Sequence, residues 1–379
     1  MLLLIVLVQG VFAEESCTFI RMWGSNTTAY GVAVDSSDNV YVTDTGHNRV
    51  SEYSSAGSII TFWDLRESEY RQAEVPYGIA VDSAQNVYVT DRKNNTVMKF
   101  STRGNQGEWG SEGSGDGQFS HPMGIAVDSS GMVYVADTGN NRIQKIHSTG
   151  MYLLQWGSYG FADGAFNAPT GVTVDSSGNV YVADTGNKRI QKFTSTGTFL
   201  AKWGTAGTGD GQFSTPTGLT TDPWGNVYVA DLTSRVQKFS PTGEYFSSCN
   251  TGGTTYDVAV DPSGTLYALW QSGSVWKIGK YTTPSSIPTQ NPPQQSHTIS
   301  IAIGQTKTIP AVPTTSPTAA PVTLISPVTT PTPGYNATIA APGDQNDGEV
   351  KKTDIKKEVF YRISGFFSYV FGREFNFFA

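Results

Sequence analysis

Residues 123–143 read MGIAVDSSGMVYVADTGNNRI, and the same sentence returns with small changes along the first three quarters of the chain. It reads YGVAVDSSDNVYVTDTGHNRV from Tyr30, YGIAVDSAQNVYVTDRKNNTV from Tyr77, TGVTVDSSGNVYVADTGNKRI from Thr170, TGLTTDPWGNVYVADLTSRV from Thr217 and YDVAVDPSGTLYALWQSGSV from Tyr256. The first aspartates, Asp35, Asp82, Asp128, Asp175, Asp222 and Asp261, stand 47, 46, 47, 47 and 39 residues apart. A fixed period of this size marks one supersecondary unit used repeatedly, each copy burying its apolar face against the next.

Within a unit the apolar residues alternate or form runs of four to six, separated by clusters of Gly, Asp, Asn and Ser. This is the pattern of short strands joined by tight turns. The third unit predicts strands at Gly124–Val127, Val133–Ala136, Arg142–Ile146 and Tyr152–Trp156, with DSSG, DTGNN and STG between them. Four strands per unit and six units predict an all-β chain, a six-bladed β-propeller of four-stranded antiparallel blades. The sixth unit lacks an outer strand, and Cys17–Gly24, CTFIRMWG, matches the outer strands YLLQWG at Tyr152–Gly157 and FLAKWG at Phe199–Gly204. The N-terminal strand is therefore expected to complete the last blade and close the ring.

The run GSGDGQFSHPMGIAVDSSGMVYVADTGNNRIQKI, Gly113–Ile146, resembles the NHL repeat, as do the runs from Gly207 and Ala162. The resemblance covers roughly residues 16–281 and implies the propeller fold. It leaves function open, because NHL propellers include RNA-binding modules, an amidating lyase, sensor ectodomains and secreted proteins.

Four segments are expected: a signal peptide at 1–13, the propeller at 14–281, a Thr/Pro/Ser-rich linker or stalk at 282–343 and an amphipathic tail at 344–379. The apolar run Met1–Val8 leads to small residues at Val11 and Ala13, which suit cleavage after Ala13, although no basic region precedes it; a buried first strand is the competing reading. Sequons at Asn26, Asn94 and Asn336 agree with an exported, extracellular or cell-surface glycoprotein. In the tail, Val350, Ile355, Val359, Ile363, Phe366, Phe367 and Val370 recur at helical spacing opposite Lys351, Lys352, Lys356, Lys357 and Arg362. Such a segment, 349–379, suits a membrane interface, docking on a protein surface, or disorder; Arg362, Arg373 and Glu374 argue against a span.

The net charge of −7, from 25 Lys+Arg against 32 Asp+Glu, disfavours nucleic acid as a partner, since binding it requires a dense cationic face. The two cysteines, Cys17 and Cys249, fall by repeat register at opposite ends of neighbouring outer strands, so no intramolecular disulfide is expected.

The aspartates at the ends of the second strands, Asp44, Asp91, Asp137, Asp184 and Asp231, form a ring on the face called the top, with Arg49, Arg142, Arg189 and Arg235 four or five residues on. A cation site, Ca included, is conceivable, but turn formation and pairing with arginine within each blade account for the pattern better. A zinc site would draw on His47 and His121, which the strand map puts two blades apart on top, while His147 falls on the bottom. No cofactor is expected from these two imidazoles alone. The glycine-rich GSGDGQF and GTGDGQF segments read as blade connections, since they repeat.

Function is then expected where the repeats differ. The position before the first-strand glycine carries Tyr30, Tyr77 and Tyr256 in blades one, two and six, which ring closure makes adjacent. Trp270 replaces the rim aspartate in blade six and His47 stands in blade one, so that an aromatic arc is expected at the top mouth, with the segment Trp63–Arg71 overhanging it. Packing around the closure seam is the bland alternative. The reading reached is a binding or interaction module whose top face takes a glycan, peptide or protein; the alternative is an extracellular metal-assisted lyase or hydrolase at the same mouth.

Overall fold

In the computed structural model, residues 17–25, 28–65, 75–101 and 104–283 are described. The expected signal peptide, the linker beyond 283, the amphipathic tail, Asn26, Asn336 and residues 66–71 of the overhanging segment lie outside them.

Each repeat begins by fixing its own first turn. In the third, the Asp128 carboxylate accepts from the backbone N–H of Ser130 at 2.9 Å and of Met132 at 3.0 Å, and from the Tyr134 hydroxyl at 3.0 Å. The short carboxylate imitates a backbone turn, and the same bond lets the tyrosine of each VYV strand be buried with its hydroxyl satisfied. Tyr88, Tyr134, Tyr181, Tyr228 and Tyr267 are all essentially inaccessible. Their rings also carry the lysine of the adjacent strand: Lys145 Nζ lies 4.9 Å from the centre of Tyr134 and reaches on to the Ser195 carbonyl of the next blade at 3.2 Å. One motif thus serves the turn, the blade core and the junction between blades.

Six four-stranded antiparallel sheets result, with a small parallel two-stranded pairing in the connection Thr205–Phe213. Blade three runs Ile125–Val127, Met132–Asp137, Arg142–His147, Tyr152–Trp156, within a residue or two of the strands expected from sequence. Inner strands approach closely around the axis. The Gly124 N–H donates to the Thr170 carbonyl of the next blade at 2.7 Å, and a Cβ on Gly124 would stand 2.5 Å from that oxygen. This position therefore requires glycine, and Gly31, Gly78, Gly171 and Gly218 occupy it in four other blades.

The ring closes as the sequence predicts. Thr18–Ser25 pairs antiparallel with Val275–Thr282, Met22 opposite Gly279 and Trp23 opposite Ile278, as the outer strand of blade six. No sheet is left open between the first and last repeats.

The expectation about the cysteines is corrected. Cys17 and Cys249 form a disulfide with a Cα–Cα separation of 5.2 Å. The reason lies in how twisted blades meet. The end of one outer strand abuts the turn that opens the outer strand of the next blade, so opposite ends by register become neighbours in space. Trp23, Trp156 and Trp203 lie against Gly57, Gly197 and Gly243 in this way, where a Cβ would come within 2.7, 2.8 and 2.6 Å of the indole. Trp109 and Gly150 make the same contact. Cys249 occupies the tryptophan position and Cys17 the glycine position, so the disulfide stands where four of the other junctions have an indole on a glycine.

Replacing both cysteines by serine is expected to cost roughly 2–4 kcal/mol, the usual range for a bridge closing a long loop, measured by chemical denaturation with and without reductant. The double variant C17G/C249W, which restores the indole–glycine contact, should recover part of that loss and respond no further to reductant. An unchanged midpoint on reduction of the native protein would show that the bridge does not secure the strand.

Candidate functional site

The top rim is built from the second-strand aspartates, and their chemistry is directed inward to the blades. Asp137 accepts from Arg142 Nε at 2.7 Å, Gln144 at 2.9 Å and the Ser120 N–H at 2.7 Å; Asp184 is held in the same way by Arg189, Gln191 and Asn167. Asp44 with Arg49 and Asp231 with Arg235 repeat the pair at 2.8 and 3.1 Å. The guanidinium of Arg142 continues to the carbonyls of Ser114, Gly115 and Gln118, that of Arg189 to Phe161, Ala162 and Ala165, and that of Arg235 to Thr208, Gly209 and Gln212. The glycine-rich connections turn carbonyls toward arginine, the reverse of a phosphate loop, whose N–H groups must face the anion.

The histidines do not converge. His47 Nδ1 lies 3.0 Å from Asp44, with about half its side chain exposed; His121 faces Ser120 Oγ at 3.3 Å; His147 contacts Thr149 Oγ1 at 2.8 Å. Among the described residues no group of three or more His, Cys, Asp or Glu side chains is placed to hold a metal ion. His47 and His121, the residues expected to contribute to a zinc site, are each engaged with a neighbour on their own loop. Asn94 ties its side-chain amide to Asp91 at 2.9 Å.

The tyrosines do come together. Tyr30 and Tyr77 stack with ring centres 4.7 Å apart and planes 12° from parallel, and Tyr256 meets Tyr30 edge-on at 5.9 Å. Trp270 does not join them: it is 5% exposed, in the apolar core shared by Val236, Cys249 and Tyr281, beneath Lys277. Its place is taken by Trp276, 4.6 Å from Tyr256 and 5.6 Å from Tyr30, a residue of the third strand that the repeat comparison did not single out. His47 lies on the rim and is not part of the channel lining.

Below the arc a central channel of about 180 Å³ is lined by the inner strands of all six blades. One residue in it breaks the repeat. Asp257 stands where the other blades have glycine, and its Oδ2 accepts from the Val32 N–H of blade one at 2.9 Å. Burial pushes its carboxyl up to about 7, against the opposing pull of the Val32 and Val258 N–H groups. Burial, and then the nearby charge of Asp257, pushes the Tyr77 hydroxyl up to about 12; burial, and then Tyr30, raises Tyr256. The replacement is visible as YDVAV among the YG, MG and TG repeats, but as one letter in a divergent unit it carries no signal until the glycine's position on the channel wall is known.

The model of one family, the NHL repeat, matches residues 30–53, 75–100, 119–146 and 166–193. This is an NHL-repeat β-propeller. Solved structures similar to this NHL propeller include a streptogramin B lyase, 16% identical, TM-score 0.52, over 69% of this chain and 97% of that one. A gluconolactonase from Xanthomonas campestris is 15% identical, TM-score 0.51, over 71% and 88% of the two chains. A protein of unknown function from Bacteroides thetaiotaomicron is 17% identical, TM-score 0.53, over 71% and 72%. Identities this low establish the shared fold alone. No curated protein is significantly similar in sequence.

Asp257 should leave a signature in stability. Its folded-state value lies above the ordinary carboxylate value of 3.8, so the folded protein binds the proton more tightly. The contribution is complete below about pH 4 and is lost as pH rises toward about 7. Unfolding free energies measured from pH 4 to 8 should therefore fall relative to those of Asp257→Asn, by on the order of 4 kcal/mol across the window; parallel curves for the two proteins would contradict the assignment.

Proposed function

We propose that the protein is a binding module of the extracellular space or cell surface, presenting the top face of its propeller to a glycan, peptide or protein. The observation that carries this reading is the contiguous cluster Tyr30, Tyr77 and Tyr256 at the channel mouth, on three adjacent blades. Residues repeated between blades, such as the Asp–Arg pairs of blades one, three, four and five, are consumed in holding the blades and their connections. The tyrosines depart from the repeat, stand around an opening, and combine flat apolar faces with polar tips, the properties enriched where proteins recognise partners. NHL propellers generally mediate protein interactions, which supports the reading in outline. The apolar start of the chain and the sequons support an exported protein.

The test is binding to glycan and peptide arrays by the native protein and by Tyr30→Thr and Tyr77→Thr, which install the residue that blades four and five carry at this position. A specific ligand lost at least tenfold in both variants, with melting behaviour retained, is expected; a ligand bound equally well by both would place recognition elsewhere.

The second reading is an extracellular metal-assisted lyase or hydrolase at the same mouth. Metal analysis of protein purified without chelator separates the two. Stoichiometric zinc would overturn the binding reading, and calcium alone would leave it standing.

A further inference from the structure

We propose that the channel mouth binds a primary ammonium group, carried by a lysine side chain or a free alkylamine, with Asp257 as its counter-ion. This rests on the reading of the top face as a binding surface and names the chemistry that surface selects.

The argument begins with what the seam does not require. In blade three, inner-strand contact to the next blade is made by backbone alone, through the Gly124 N–H and the Thr170 carbonyl. Blade six instead brings a carboxylate to the same junction, where it accepts from Val32 at 2.9 Å. A glycine would close the ring without placing an acid in a poorly solvated channel, a costly arrangement unless the charge is used. Asp257 is the one acid among the residues lining the channel, and no Lys, Arg or His is among them. Its two N–H partners leave acceptor capacity, since a carboxylate offers about four lone-pair positions.

The surroundings supply the remaining complement of an ammonium ion. Tyr30, Tyr77 and Tyr256 line the same channel; Tyr30 and Tyr77 stack on one another, and the Tyr256 hydroxyl donates to Gln271 Oε1 at 3.2 Å while its oxygen keeps the capacity to accept from an ammonium group. One residue deeper than the carboxylate the walls are Val32, Ile79, Ile125, Val172, Leu219 and Val258, an apolar surround that leaves the carboxylate poorly solvated. At about 180 Å³ the channel is narrower than the roughly 300–1,000 Å³ usual for small-molecule pockets, and it suits a slender chain with a charged tip.

Binding would be coupled to a proton. Asp257 lies against the backbone of Gly218 of blade five, and the polar groups lining the channel around it are Tyr30 of blade one, Tyr77 of blade two, Tyr256 on its own strand and, from blade five, Thr217, whose hydroxyl donates to the Tyr256 carbonyl; Arg92 acts on Tyr77 from beyond it. Tyr77 and Tyr256 are displaced upward, away from neutral pH, whereas Asp257, at about 7, changes charge there. An ammonium ion binds the charged form, so affinity falls as pH drops through that value.

Isothermal titration calorimetry on the full chain with n-butylamine and with Nα-acetyl-lysine methylamide, against n-butanol as the neutral control, tests this. Binding of one or both amines at pH 8 is expected, weakened about tenfold at pH 6 as the carboxylate takes up its proton, with no binding of butanol. Asp257→Asn and Asp257→Gly should both abolish it; the glycine variant restores the residue of the other five blades, so loss of fold is not the explanation. Tighter binding of the lysine compound would point to a protein or peptide partner, and of butylamine to a free amine. Equal binding by Asp257→Gly, or no binding of either amine at pH 8, overturns the inference. An array ligand lost in Tyr77→Thr yet retained in Asp257→Gly and indifferent to butylamine would do so too, while leaving the top-face reading intact.

Discussion

The pairing of Thr18–Ser25 with Val275–Thr282 is the constraint on which the ring depends. Each blade covers the apolar face of its neighbour, so no blade is complete until the last one is, and the last is made from both ends of the propeller. Its strand comes from the opposite end of the sequence, which makes closure a contact of the highest sequence separation in the fold and the slowest kind to form. The Cys17–Cys249 bridge ties that same strand to blade five across 232 residues. Hydrogen bonds thus hold the strand to blade six while a covalent bond fixes its opening end.

The fold was legible because its determinants are local and repeated. The DSSG turn, the VYV strand and the pre-strand glycine each solve one short-range problem, and six copies average out the divergence of any one. Even the closure could be read, since the N-terminal strand keeps the pattern of the outer strands it replaces. The disulfide was misread although the alignment that located it was correct. Repeat register puts Cys17 at a glycine position and Cys249 at a tryptophan position, yet strand order on a flat map does not show that the end of one twisted blade touches the start of the next. That relation lives in the rotation of the sheets, which residue counting does not contain.

The site was legible to a different degree. Adjacency of Tyr30, Tyr77 and Tyr256 followed from ring closure alone. Trp270 entered the same arc on paper because it replaces a rim residue, whereas side-chain packing turned it into the core between blades five and six. Trp276 and Asp257 were missed for the same reason. Whether a residue faces the channel, a neighbour or solvent is decided by local bulges, such as the register shift between Thr255 and Asp257, that carry no mark in the repeat.

The arginines of blades three, four and five hold their glycine-rich connections entirely by backbone carbonyls. A guanidinium that reads carbonyls is indifferent to the side chains those residues bear. The connection Ser158–Ala165 shows the freedom this allows: Tyr159 and Phe161, 66% and 69% exposed, stand where the equivalent loop of blade five has Ala206 and Thr208, on an anchor of the same kind. Shape and sequence are uncoupled on this part of the top face. Its surface chemistry can be rewritten, by evolution or by loop grafting, without renegotiating the scaffold beneath it.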